Sequence, residues 1–355
     1  MRFPLKLEVD SMFEIDGSKE SGSGTILRLA LALAAVSGEA LHIYNIRQNR
    51  PQPGLKPQHL EAVLTAARLC GARIDGARLN SRELWFTPGE IKSGNFNADI
   101  GTAGSIPMLL MAVLPICFFA KGTVNLHVAN GGTDVPHSPT VNYLQNILFP
   151  ILKRMNLHAS IKIKRYGYYP KGNGEATMAT SPGHSLIPLR QENFGKLTSI
   201  RGISVCTFLS DRKVAERQAK AAKQHLSKGG FEADIQIIND NSNPFQKGSS
   251  IVLVAETDTG VILGADAIGE LGKTAEAVGI EAAEGLIAEI SAKATVDVHS
   301  ADMLVPYMAF TKGTSSFLTR KFSDHLKANV WLAKTMLNTD FKVTEEKDLY
   351  KVQKT

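Results

Sequence analysis

Histidines and arginines at a few positions carry the chemistry this sequence could do. His325, in "FSDHLKANVW", follows Ser323 and Asp324 where a helix is expected to start. A neutral imidazole there can attack phosphorus and form a labile phosphoramidate; a helix-start histidine without that role is the commoner arrangement. His299 and Asp302, in "VDVHSADMLVPYMAF", stand three residues apart and share one face if that segment is helical. The stretch "NIRQNRPQPGLKPQHLEA" places Arg47, Arg50, Lys56, Gln58 and His59 among Pro51, Pro53 and Pro57. Clustered guanidiniums suit paired hydrogen bonds to phosphate, and prolines reduce the entropy lost in holding them still. A solvated basic loop would show the same residues.

The glycine loops extend the phosphate theme. "EIDGSKESGSGTILRLALAL" (Glu14 to Leu33) runs from a strand-like start through Gly22, Ser23 and Gly24 into an apolar helix. Backbone N–H groups at a helix start bind anions, and a carboxylate such as Glu20 beside them can hold the divalent ion that accompanies a nucleotide. Arg28 follows about one turn into the helix. The competing reading is a flexible turn with a solvated glutamate. The loop has no Gly-Lys-Ser/Thr ending and does not complete G-x-G-x-x-G. "DIGTAGSIPMLLMAVLP" and "NGGTDVPHSPTVNYL" are further glycine turns, fit for close ligand approach or for tight turning alone. His137 in the second is read as incidental. In "RYGYYPKGNG" the tyrosines could face a base or pack on a sheet. The chain also lacks the H-x-T-x pair of cyclic phosphodiesterases and the K-x-D-G of lysine-adenylating ligases, so a nucleotide chemistry needs another nucleophile.

The elements that must position these residues recur along the chain. "GEALHIYNIR", a Pro/Gly-rich loop, the helix "HLEAVLTAARLCGA" and the strands "ARIDGA" and "ELWFTPG" make one unit. "KGTVNLHVANGG", the helix "TVNYLQNILFPILKRM" and the strands "HASIKIKRYG" and "GEATMATS" make a second. "GTSSFLTRKF", the helix "SDHLKANVWLAKTML" and the strand "DFKVTEE" make a shorter third. Between the second and third lies a segment of different grammar: four strands and two helices, the first helix running from a Ser210 cap to Gly229-Gly230. The expected fold is α+β, three repeated βαβαββ units forming a large domain with an inserted smaller α/β domain. Its expected bounds are 1–185 and 296–355 for the large domain and 186–295 for the insert.

Composition excludes several classes. With 355 residues, 43% hydrophobic and 21% charged, the chain has the make-up of an ordinary globular protein large enough for two domains. A net charge of +6 and a pI near 9.1 lean toward a polyanionic partner. The longest apolar run, Ile106 to Ala120, holds two prolines and falls short of the about 20 residues a bilayer span needs, so a buried helix and no membrane association are expected. "MRFPLKLEVDSMF" has no apolar leader core, and Cys70, Cys117 and Cys206 sit in apolar surroundings without C-x-x-C spacing. A cytoplasmic protein with reduced core thiols is the expectation.

Taken together the motifs resemble the RNA 3'-terminal phosphate cyclase family over nearly the whole chain. The family's D-G-x-x-x-E-G-G-G-x-I-L-R is met by "DGSKESGSGTILR", its I-R-x-x-R-x-x-P-G-L-x-x-Q-H-L by "IRQNRPQPGLKPQHL", and its G-G-T-D-x-P loop by "GGTDVP". "GTAGS", "YGYYPKGNG", "ADMLVP" and "HLKAN" fall in the family's order. The resemblance implies the three-fold repeated large domain and its insert. It implies ATP as co-substrate, a divalent metal (magnesium or manganese), and RNA with a 3'-phosphate end as partner, and it leaves oligomeric state open. The residue at His325 would attack the α-phosphorus of ATP, and AMP would pass to the RNA 3'-phosphate. The adjacent 2'-OH would then close a 2',3'-cyclic phosphate. Glu20 would hold the metal; Arg28, Arg47, Arg50 and Gln58 would grip the ATP and RNA phosphates; Pro139 would line the adenine pocket; His299 would bind near the nucleotide, and Asp302 would support the nucleotide or His325. Thr25, Met111 and Met303 stand where many members carry glutamine, His299 where they carry tyrosine, Asn173 where a glycine is usual, and Ala328 where a threonine is usual. A noncatalytic relative acting in ribosomal RNA processing is the alternative, and it lacks the histidine. The enolpyruvyl transferases share the repeated fold but lack the insert.

Overall fold

The computed structural model describes residues 12–183 and 185–355, so the opening segment read for a leader lies outside it up to Ser11. The first strand, β1 (Met12–Asp16), runs parallel to β2 (Ala40–Tyr44), with α1 (Gly24–Ser37) between them. Helix α2 (Pro57–Cys70) leads to β3 (Arg73–Asp75) and β4 (Leu84–Thr87), giving a sheet of order β1-β2-β4-β3. The same construction follows with β5 (Gly94–Asp99), α3 (Ile106–Phe118) and β6 (Val124–Gly131). From there α4 (Val141–Tyr143) continues through a π turn (Leu144–Leu148) into α5 (Phe149–Arg154), β7 (Ala159–Arg165) and β8 (Gly174–Thr180). That sheet has the order β5-β6-β8-β7, its first pair parallel and the others antiparallel.

Strand β9 (Arg190–Gln191) begins a third sheet of the same order and sense, whose other strands lie about a hundred residues further on. Helix α8 (Val298–Phe310), β14 (Ser315–Thr319), α9 (Asp324–Leu337), β15 (Phe341–Glu346) and β16 (Leu349–Lys354) complete it. The two residues of β9 fall inside the 186–295 segment, where sequence gives them no strand signal. They pair in parallel with β14, and such a short edge strand has no periodicity to read.

The intervening segment forms a fourth sheet, β11-β10-β12-β13, from β10 (Leu197–Thr207), β11 (Asp234–Asp240), β12 (Gly248–Thr257) and β13 (Ile262–Ile268). Helices α6 (Val214–Lys228) and α7 (Ala275–Ala292) cover it, and its core (Leu226, Leu253, Leu263, Leu286) is distinct from the one the other three sheets share. Ser210 does not cap α6. It opens a 3-10 turn ending at Arg212, and Lys213, at φ 49°, separates that turn from the helix. Helix α3 is the buried apolar helix the sequence predicts, and among the described residues no helix is long and apolar enough to cross a membrane.

Helices α6 and α7 touch backbone to backbone at Gly279, where a Cβ would stand 2.2 Å from the Gln218 carbonyl oxygen. Alanine at a helix interior gains about 1 kcal/mol over glycine in propensity, but overpacking here costs about 1–3 kcal/mol. Gly279→Ala is therefore expected to lower the thermal midpoint; an unchanged or raised midpoint would place the helices further apart.

Candidate active site

Two helix starts meet in space to make the site. Ser23 caps α1 by accepting from the Thr25 amide (3.3 Å), and Ser323 caps α9 by accepting from the Leu326 amide (3.1 Å), so His325 projects from the first turn of α9. Thr25 joins them: its Oγ1 lies 3.1 Å from His325 Nδ1 and accepts from Arg28 Nη2 at 3.1 Å. Gly24 is required where it stands, because a Cβ there would come within 2.4 Å of His59 Nε2 and 3.0 Å of Arg28 Nη1.

A cleft of about 770 Å³ opens in front of these groups, lined by Arg28, Arg47, Arg50, Gln58 and His325, with Tyr169 at its rim. The arginine loop is held by its own side chain. Arg47, at φ 57°, donates from Nη1 to the carbonyls of Gln52 and Gly54, both at 2.8 Å. Arg50 is exposed and has no ion-pair partner among the described residues. Gln58 Oε1 accepts from the Ser105 amide at 2.8 Å, locking α2 to the start of α3, while Ser105 Oγ caps α3 and lies 2.5 Å from Ser138 Oγ.

The electrostatics follow from crowding positive charge against low-dielectric walls. Burial lowers Arg28 to about 10, with Asp302 opposing and Arg47 and Arg50 adding to the fall. Burial, then Arg28 and Arg47, pushes His59 down to about 3, and its Nδ1 has no hydrogen-bond partner. His325 opens onto the cleft; partial desolvation, then Arg28 and Arg50, still hold its imidazole below the ordinary value. It is therefore neutral at neutral pH, with a lone pair available on one ring nitrogen.

Asp302 reaches the site from behind. With Arg28 and Thr25 it lines a cavity of about 40 Å³, and burial raises its carboxyl to about 7. Met111 and Met303 line that same cavity, so Thr25 and two methionines from separate helices meet behind one arginine. Asn173 adopts φ 56°, a left-handed conformation that glycine takes freely and asparagine tolerates.

The structure thus brings Arg28, Arg47, Arg50, Gln58 and His325 into one cleft and puts Asp302 against it. Glu20, Pro139 and His299 are not among the lining residues: Glu20 is exposed at φ 46°, Pro139 precedes α4, and His299 is exposed beside Tyr143, ring centroids 6.3 Å apart. His59, Ser105, His137 and Ser138 do line it. His59 was legible as part of the basic loop. The serine pair has no signal in sequence because its members lie in separate glycine loops.

Among the described residues no three His, Cys, Asp or Glu side chains come together as a cation site. A magnesium-type ion in a nucleotide enzyme takes one or two carboxylates and fills its shell with phosphate oxygens and water. Glu20, the carboxylate expected to serve such an ion, is exposed and outside the cleft lining, so among the described residues no preassembled cage of carboxylates stands at the cleft.

An α+β fold that presents an imidazole and three arginines in one cleft has the chemistry to receive a phosphate-bearing ligand. The comparisons place it more closely. The family model described as RNA 3'-terminal phosphate cyclase matches residues 19–343. A protein of Pyrobaculum aerophilum named RNA 3'-terminal phosphate cyclase is 42% identical, covering 96% of this chain and 97% of its own length. Proteins of that name from Pyrococcus furiosus (43% identical; 94% and 95% covered) and Methanosarcina barkeri (42%; 96% and 99%) agree. The chain belongs to the RNA 3'-terminal phosphate cyclase family, and the relatives it matches are named as enzymes.

Proposed function

We propose that the protein converts an RNA 3'-terminal phosphate to a 2',3'-cyclic phosphate at the expense of ATP, through AMP carried on His325. The observation that carries this reading is the neutral His325 held by Thr25 in front of Arg28, Arg47 and Arg50. Thr25 Oγ1 accepts from Arg28 and keeps a second lone pair; in the tautomer this mechanism requires, His325 Nδ1–H donates to that lone pair and Nε2 turns its own to the cleft.

In the first step Nε2 attacks the α-phosphorus, the P–N bond forms, and pyrophosphate leaves. In the second an oxygen of the RNA 3'-phosphate displaces the imidazole and takes the AMP. In the third the 2'-OH attacks the activated 3'-phosphorus, loses its proton, and expels AMP. The arginines offset charge that grows on the phosphoryl oxygens at each step. A divalent ion arriving with ATP, held by Glu20, would neutralise triphosphate charge. Arg28 is held by its hydrogen bond to Thr25, with the Asp302 carboxyl lining the same small cavity behind it, so its guanidinium is in place before substrate enters.

The test is incubation of the protein with ATP labelled at the α-phosphate and magnesium or manganese, then denaturing electrophoresis. Label should stay with the chain, be lost in acid, and be discharged by RNA ending in a 3'-phosphate but not by RNA ending in a hydroxyl. A chain that takes no label, yet binds RNA, would leave the noncatalytic reading.

The pH dependence has a defined sign. Only neutral His325 attacks, and its pKa lies below the usual 6.5, so kcat/KM for ATP should be flat above that value and fall as pH drops through the depressed one. Arg28→Met removes the second-largest cause of the shift, and the acid limb should move to higher pH. An unmoved limb would assign the limb to another group.

A further inference from the structure

A second cavity of about 790 Å³ lies beside the catalytic cleft, where the fourth sheet's unit meets the second. The two share Tyr169 and Pro136 as a common wall. Apolar side chains (Leu209, Ile268, Val278) form its inner surface. Arg212 and Lys247 stand at its mouth, exposed and with no ion-pair partner among the described residues. Helices α6 and α7 both begin at its wall, at Val214 and Ala275, and no side chain caps α6. Asp134 lies at its base, 1% exposed; its Oδ2 accepts from Thr133 Oγ1 at 2.6 Å, and its Oδ1 has no partner.

The shared wall is built rather than loose. Gly248 admits the Tyr168 ring against the backbone, where a Cβ would come within 2.1 Å of the ring. Asn243 Nδ2 donates to the carbonyls of Tyr166 (2.7 Å) and Gly172 (3.1 Å), and Gln246 Nε2 donates to that of Tyr169 (3.2 Å). Tyr169 itself stays 68% exposed, its ring available to both cavities.

We propose that this second cavity binds the nucleotides that precede the terminal phosphate of a single-stranded RNA. The inference rests on the cyclase reading for the identity of the end and on the cavity for the rest of the chain. Apolar walls and an exposed tyrosine at the rim suit nucleobase stacking, which is tolerant of sequence. Unpaired cations and two helix starts suit the phosphodiesters between bases. The free Asp134 oxygen accepts from a base N–H or a ribose hydroxyl, the groups that an inorganic phosphate or a lone pyrophosphate lacks. Continuity through Tyr169 lets one strand put its 3' end before His325 and its preceding bases in the second cavity.

The experiment measures binding of a 3'-phosphorylated single-stranded decamer and of a nucleoside 3'-phosphate to the full chain and to Arg212→Glu/Lys247→Glu, across a salt series. Both positions are exposed, and an unchanged thermal midpoint checks folding. The decamer should bind the variant at least about tenfold more weakly, with a salt slope smaller by about 1.4, the value for two lost contacts to a single strand. Binding of the nucleoside 3'-phosphate should not change. Equal decamer affinity and slope in variant and native chain would overturn the subsite, as would equal weakening of both ligands. Failure of the native chain to make a cyclic end would overturn the cyclase reading instead, while the decamer slope would still decide the subsite.

Discussion

His325→Ala is expected to abolish retained label from ATP and to lower cyclization by on the order of 10⁴-fold or more, because a covalent route has no substitute for its nucleophile. The structural cost should be small. His325 is exposed, and its side chain hydrogen-bonds, among the described residues, to Thr25, so the thermal or denaturant midpoint should move within the about 0.5 kcal/mol usual for such a surface change. This pairing of a large chemical loss with an intact fold is what separates a nucleophile from a structural histidine. Label retained by the mutant at a near-native rate would move the nucleophile to another imidazole of the cleft. His137 would then be the candidate, since His59 is buried against Gly24.

The reason the cleft could be read at all from one sequence is that its parts sit at helix starts and in a proline-pinned loop, which carry local signals. Ser323 before His325 reads as a cap, and the arginine spacing in "IRQNRPQPGL" reads as a phosphate grip; both groups lie in the cleft. What sequence does not show is the meeting of α1 with α9, which brings Thr25 to His325 across 300 positions. It equally hides the way Thr25, Met111 and Met303 share one small cavity, because each looks like a separate departure from a family pattern. The strand β9 was illegible for a different reason: two residues have no period, and only pairing with β14 defines them. Ser210 failed as a cap because the positive φ of Lys213 intervenes, a backbone choice that a lysine does not announce. Of the second cavity, sequence offers only the tyrosines of "RYGYYPKGNG" as a possible base-stacking face, since its other walls come from loops, helix starts and strands of two units that meet only in space.

Asp297→Ala is expected to destabilise the protein by about 3–5 kcal/mol. Asp297 is 1% exposed and caps α8, accepting from the amides of His299 (3.1 Å) and Ser300 (2.9 Å). Its second oxygen accepts from the Gly264 amide in β13 (3.1 Å) and from Ser300 Oγ (3.2 Å). Tyr143 on α4 donates to it as well, and burial together with Asp297 holds that phenol protonated, well above its ordinary range. One carboxylate thus ties together α4, the fourth sheet and the start of α8. Loss of a cap alone costs about 1 kcal/mol, and each buried donor left without an acceptor adds about 1–3, not fully additively. Asp297→Asn keeps one acceptor oxygen and should cost about half as much. The denaturant midpoint measures both. A loss under about 1 kcal/mol for the alanine variant would mean that water reaches the donors, and that the seam between the fourth sheet and its neighbours is looser than these bonds describe. A loss of the expected size would show that the wall behind His299 and Asp302 is held from the side of the fourth sheet.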